Sequence, residues 1–183
     1  MQVKVAENQS HCHKVYKPSL KSLTDDYRFF IKYLEVKNFI QKDSLLPFWG
    51  NFPSSYVHLK TIYNNVEPQM KFLDLGCGTG QILRFAKKLG AQVTGIDFEP
   101  KFFELLSEYD CDCADIRILP DSFYRCFDFI YMYRPIKDGF YEYVCHVGSN
   151  MRVGSLLFTP YDKYIPKGFI KTEYNYLIRK ISE

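Results

Sequence analysis

The chain has 183 residues, 46% apolar and 25% charged, with a formal net charge of +3. That length supports one domain with a sizeable core, and that charge is too small to announce a nucleic-acid surface. No stretch reaches the roughly 18 consecutive apolar residues of a membrane span, so neither a membrane nor a nucleic-acid partner is indicated, and nothing fixes an oligomeric state.

Met1 to Ser10 are polar and lack the apolar centre of a signal peptide. Residues 1–20 read as a loose tail. Within it, His11-Cys12-His13 is a compositional hint of metal binding, but further ligands are missing nearby, and a solvated tail explains the cluster as well. The six cysteines (12, 77, 111, 113, 126 and 145) sit mostly in apolar, strand-like runs. That pattern fits buried reduced thiols in a cytoplasmic protein better than a disulfide frame.

Leu23, Tyr27, Phe30, Ile31 and Leu34 recur at helical spacing and predict a helix from Thr24 to about Lys37. Thr24 can cap it, with Asp25 and Asp26 at its positive end. The aromatic turn from Leu46 to Pro53 leads into a second helix starting near Pro53. Tyr56, Leu59, Tyr63 and Val66 share one face of that helix.

Strands then alternate with helices. Strands are expected at Lys71 to Leu75, Gln92 to Ile96, Cys111 to Ala114, Phe127 to Tyr133 and Ser155 to Thr159. Helices are expected at Gly80 to Leu89 (stopped by Gly90), Glu99 to Tyr109 and Asp138 to about Met151. The second of these should bury Phe102, Leu105, Leu106 and Tyr109. This alternation gives a Rossmann-like, doubly wound α/β fold with a mainly parallel sheet and right-handed crossovers. About ten residues separate the fifth strand from Phe169 to Thr172, too few for a crossover helix. That segment and Tyr174 to Ile181 therefore read as a C-terminal antiparallel hairpin, with Pro160 to Gly168 as a loop.

The chemistry concentrates in Leu73-Asp74-Leu75-Gly76-Cys77-Gly78-Thr79-Gly80. A strand ends in an acid, and three glycines at every second position lead into a helix. Such a turn lets a ligand approach the main chain. The next strand ends in Asp97, a carboxylate able to hold two ribose hydroxyls. A dinucleotide turn reads G-x-G-x-x-G, whereas Gly80 arrives one residue early and Gln81 stands in the expected place. Asp74 would also sit poorly beside a pyrophosphate. No Gly-Lys-Ser/Thr follows, which excludes a Walker loop.

Asp74 to Gly80, together with Asp97 and Asp115, resembles the class I S-adenosylmethionine-dependent methyltransferases, over roughly residues 66–183. The resemblance implies S-adenosyl-L-methionine as cofactor. It also implies a single domain over 21–183, divided into leading helices at 21–66 and a cofactor-binding core at 67–183. In the family such helices often form a lid; covering the sheet is an equal reading. Gly76, Gly78 and Gly80 would let the backbone hug the methionine and ribose, with Cys77 a small filler in the turn. Asp74 would help hold the amino group, and Asp97 the ribose hydroxyls. Phe98 would pack on the adenine, Asp115 would accept from its exocyclic amine, and Ile116 would supply a backbone amide.

The end of the fourth strand normally lies beside the transferred methyl. Here it reads Tyr131-Met132-Tyr133-Arg134-Pro135, matching neither the Asn/Asp-Pro-Pro-Tyr/Phe nor the Pro-Cys pattern of base-modifying enzymes. Tyr131 belongs to the cofactor crevice. Tyr133 and Arg134 are acceptor-pocket candidates, with Arg134 suited to a carboxylate or phosphate, or else paired with Asp138. His146 falls on the last long helix and is not expected to act as a base. The acceptor itself is unidentified, with a small molecule favoured over a macromolecule. A non-catalytic S-adenosylmethionine-binding protein on the same fold is the alternative; a nicotinamide oxidoreductase is disfavoured by the glycine spacing.

Overall fold

The computed structural model describes residues 25, 27–32, 56–133, 135–159, 165–174 and 176–182. Seven strands form one sheet: β1 (Lys71–Leu75), β2 (Gln92–Asp97), β3 (Asp110–Cys113), β4 (Phe129–Met132), β5 (Leu156–Phe158), β6 (Phe169–Lys171) and β7 (Leu177–Lys180). Their order is β3-β2-β1-β4-β5-β7-β6. The first five pair in parallel, while β7 runs antiparallel to both β5 and β6. The expected Rossmann-like sheet and terminal hairpin are therefore present.

Among the described residues, five α-helical segments flank it: α1 (residues 27–32), α2 (Tyr56–Asn65), α3 (Gln81–Lys88), α4 (Asp121–Tyr124) and α5 (Phe140–Asn150). Alternation along the strands divides the core in two. Phe72, Phe129, Tyr131, Leu156 and Phe158 pack with Leu59 and Ile62 of α2 and with Leu83 and Phe85 of α3. Leu73, Leu75, Ile130, Met132, Leu157 and Ile178 pack with Tyr124 of α4 and Val144 and Val147 of α5. Strands buried on both faces read as near-continuous apolar runs, which is why β1 and β4 were legible.

Most boundaries shift by one or two residues, as strand and helix ends do. Three differences are larger. The helix expected from Glu99 to Tyr109 is a 3-10 turn, Pro100–Leu105. The chain instead turns after Leu106, with the Tyr109 amide donating to the Leu106 carbonyl at 2.8 Å, and so enters the sheet at Asp110, which pairs with Thr94. Phe102 and Leu106 are buried as expected, but Tyr109 is only half-buried. Second, α1 is rolled away from its expected face. Tyr27, Phe30 and Ile31 are exposed, and Phe29 is fully buried against Tyr63 and Phe85. Leu23, Leu34 and Pro53 lie outside the described residues. Third, the one-turn helix α4 was not anticipated. It carries Tyr124, whose hydroxyl meets that of Tyr143 at 3.2 Å.

His11-Cys12-His13 and residues 160–164 of the expected loop lie outside the described residues. No described helix is long and apolar enough to cross a membrane, and no metal-ligating cluster occurs among the described residues.

Candidate functional site

The strand order reverses at β1, whose neighbours are β2 and β4. In open α/β sheets the crevice beyond the strand ends at such a point takes the ligand. Here it opens as a cleft of about 390 Å³ lined by Gly76, Asp97, Phe98, Ala114 to Arg117, and Pro135 to Asp138, within the size range of small-molecule sites.

The chain leaves β1 through the glycine turn. Gly76 has φ +79, and a Cβ there would stand 2.7 Å from Cβ of Pro135. The segment after β4 therefore presses against the turn and needs glycine beneath it. Gly80 has φ +77, and a Cβ there would meet Leu106 at 2.3 Å; its amide donates to the Cys77 carbonyl at 2.8 Å. Left-handed backbone with no room for a side chain explains both residues.

Asp97 ties this turn to β2. Its Oδ2 accepts from the Gly78 amide at 2.9 Å and its Oδ1 from the Glu99 amide at 3.0 Å. Each carboxylate oxygen has two lone pairs, so one per oxygen remains for a ligand hydroxyl. Asp74 is the register partner of Tyr131 on the neighbouring strand and shares its face of the sheet. Burial, followed by the nearby Asp97 and Cys111, pushes the Asp74 carboxyl well above the usual carboxylate range.

Asp115 behaves differently. Arg117 donates to it from the backbone amide, from Nε and from a terminal nitrogen, the last at 2.6 Å. Those bonds hold the Asp115 carboxyl down at about 2. The next residue, Ile116, is buried, and its carbonyl accepts from the hydroxyls of Tyr124 and Tyr143 at 3.3 and 3.1 Å. These two tyrosines brace the cleft wall from below. Phe98, by contrast, is 71% exposed at the rim.

Of the cofactor residues expected from sequence, Gly76, Asp97, Phe98, Asp115 and Ile116 line the cleft. Asp74, Cys77, Gly78, Gly80 and Tyr131 do not, although Gly78 reaches it through Asp97. Arg134 lies outside the described residues, so its expected pairing with Asp138 does too. Tyr133 is 40% exposed.

The structure adds a residue that the sequence reading passed over. His58 of α2 is buried, and its Nδ1 lies 3.3 Å from the Tyr131 hydroxyl, hydrogen-bonded to it. Rings of Tyr133, Phe158 and Tyr176 surround it at 4.8, 4.9 and 5.6 Å between centroids. Burial pushes the imidazole down to about 4, so it is uncharged at neutral pH. Tyr176 itself has the uncommon φ +67, its carbonyl accepts from the Thr159 amide at 2.8 Å, and the buried hydroxyl of Thr159 has no hydrogen-bond partner among the described residues. A lone histidine between Val57 and Leu59 carries no sequence signature; only the ring cluster marks it. His146, in contrast, is part-exposed beside Asp121 at 3.5 Å, away from the cleft residues.

These contacts suit a nucleoside. Asp97 keeps acceptor capacity for vicinal hydroxyls, while Phe98, Ile116 and Ile136 offer apolar surface for a flat base. Comparison with known proteins agrees. Residues 72–138 match the family model described as a methyltransferase domain. The ribosomal protein L11 methyltransferase of Burkholderia mallei is 39% identical over 56 residues, 30% of this chain and 19% of that protein. Its counterpart in Paraburkholderia phytofirmans is 38% identical over the same span. The chain spans about a fifth of the length of the curated relatives it matches. Among solved structures, an RNA methyltransferase from Salinibacter ruber in complex with S-adenosyl-L-homocysteine superposes with a TM-score of 0.53 at 14% identity. That match covers 72% of this chain and 95% of that one, and it shows the shared fold.

Residues 72–138 are thus similar to methyltransferase domains, within a sheet of Rossmann-like strand order. The glycine turn at Gly76 to Gly80 and Asp97 fall inside that matched span, and S-adenosyl-L-methionine is the cofactor the match implies.

Proposed function

We propose that the protein transfers a methyl group from S-adenosyl-L-methionine to a small acceptor. The observation that carries this reading is the bond from the Gly78 amide to Asp97, which locks the glycine turn onto an acid that lines the cleft. When bound, the cofactor supplies an electrophilic methyl on a sulfonium, a group that needs positioning and a water-poor site more than strong acid–base assistance.

This chain's residues would divide the work. Asp97 takes the ribose hydroxyls, with Phe98 and Ile116 against the adenine and Asp115 at its edge. Gly76, Gly78 and Gly80, with Cys77 between them, leave the main chain open to the methionine portion. Asp74, on the face it shares with Tyr131, sits where the amino group is expected. The acceptor meets the methyl at the tips of β4 and β5, where Tyr131 and Tyr133 are joined by His58; Arg134, next in sequence, is a further acceptor-pocket candidate. An uncharged imidazole in a ring of aromatics suits an uncharged, compact acceptor, and because burial disfavours its charged form it serves as a hydrogen-bond partner rather than as a base. Five free cysteines among the described residues fit a cytoplasmic setting.

The test is incubation of the protein with methyl-labelled S-adenosylmethionine and separate small-molecule, protein and RNA fractions of a cell extract. Label should appear in the small-molecule fraction. Label in protein or RNA would overturn the acceptor class. Cofactor binding without label in any fraction would establish the non-catalytic binding protein instead.

A further inference from the structure

Cys77 stands in the glycine turn and Cys111 on β3, on either side of β2. Cys111 is the register partner of Gly95, and the Cys77 amide donates to the Ile96 carbonyl at 3.2 Å. Gly95 lets their side chains meet. A Cβ on it would stand 2.9 Å from Sγ of Cys111 and 3.0 Å from Sγ of Cys77. Glycine inside a strand weakens it and marks a close approach of other atoms; here those atoms include both sulfurs.

Both sulfurs thus crowd the same point over Gly95. Interaction with Cys111 and burial push the Cys77 thiol up, while interaction with Cys77 brings the Cys111 thiol down. Cys77 is buried and Cys111 half-buried. The pair thus has one accessible sulfur that ionises more readily and one sheltered sulfur behind it, the arrangement of an attacking and a resolving cysteine.

We propose that Cys77 and Cys111 form an oxidisable thiol pair that takes hydrogen peroxide and, once bridged, disables the cofactor turn. The Cys111 thiolate attacks one peroxide oxygen; the O–O bond breaks and hydroxide leaves with the electron pair, giving a sulfenic acid. The Cys77 sulfur then attacks the Cys111 sulfur. The S–S bond forms, the S–O bond breaks, and water leaves with the Cys77 proton. Both thiols are oxidised, by two electrons in all, and one peroxide is reduced to two waters.

An S–S bond of about 2.05 Å is shorter than any thiol contact, so bridging draws Cys77 toward β3. Gly76 and Gly78 flank Cys77 directly, and the Gly78 amide would be pulled off Asp97. This consequence rests on the cofactor reading given above; formation of the bridge does not.

The full-length protein is treated with hydrogen peroxide, alkylated, digested and mapped by mass spectrometry, with fragmentation separating Cys111 from Cys113. S-adenosylhomocysteine is titrated by calorimetry into reduced, oxidised and re-reduced protein. The expected result is a Cys77–Cys111 cross-link and affinity weakened about tenfold or more on oxidation, restored by dithiothreitol. Cys111→Ser and Cys111→Ala should bind like the reduced protein and ignore peroxide. A map without this cross-link overturns the proposal, as does a cross-link that leaves affinity unchanged. Failure of the reduced protein to bind S-adenosylhomocysteine would instead refute the cofactor reading, with the peptide map still deciding whether the thiols bridge.

Discussion

The glycine turn and the ring cluster around His58 occupy the two halves of one sheet edge, and they are built by different means. The turn is made of backbone: left-handed glycines, amide donors and one carboxylate that binds the Gly78 amide of the turn and the Glu99 amide just past β2. The ring cluster is made of side chains converging from α2, β4, β5 and the approach to β7. A backbone device tolerates few residue types, so it leaves a pattern in sequence. A side-chain enclosure can be assembled from many combinations, so it leaves none. In a methyl transferase this division matches the chemistry, because the donor is constant while the acceptor varies.

Removing Asp97 should have the largest effect. Asp97→Ala strips the proposed ribose acceptor and frees the Gly78 and Glu99 amides together, so S-adenosylhomocysteine affinity in calorimetry should fall a hundredfold or more, roughly 3 kcal/mol. Affinity near that of wild type would break the assignment of the turn as the donor half. Gly76→Ala comes next. It forces φ +79 on an alanine and places its Cβ against Pro135, and should cost roughly 2 kcal/mol of stability in urea titrations. An unchanged midpoint would show that the contact with Pro135 relaxes freely.

His58 sharpens the other half. Its folded-state imidazole sits at about 4, below the ordinary 6.5, so the unfolded chain takes up the proton first as pH falls. Stability is therefore full above pH 6.5 and drains toward pH 4, by roughly 3 kcal/mol from this one group. Chemical denaturation at stepped pH should show that loss, and His58→Gln should flatten it. The same variant should leave S-adenosylhomocysteine affinity within about twofold, since the two halves are built separately; a large loss would merge them. Asp115→Asn should have the smallest effect. Arg117 already engages both carboxylate oxygens on an exposed loop, so cofactor affinity should change by about threefold or less.

Legibility in the sequence followed the same division. Strands buried on both faces, such as Phe72 to Leu75 and Phe129 to Met132, announced themselves as apolar runs, and the sheet could be drawn from them. Asp97 was found because an acid at a strand tip after a glycine turn has few other uses. The roll of α1 was missed because Phe29, Phe30 and Ile31 are adjacent and all apolar, so periodicity could not select the inward one. The 3-10 turn after Pro100 was missed because sheet pairing at Asp110 overrides a helical pattern. The Arg117 clasp on Asp115 and the His58 enclosure depend on side-chain geometry across distant segments, which spacing does not encode.

The most direct test of the central claim is calorimetric titration of S-adenosylhomocysteine into the reduced full-length protein, with NAD titrated in parallel. The account predicts saturable binding of S-adenosylhomocysteine at one site per chain and none of NAD. Binding of NAD without S-adenosylhomocysteine, or of neither, would contradict it.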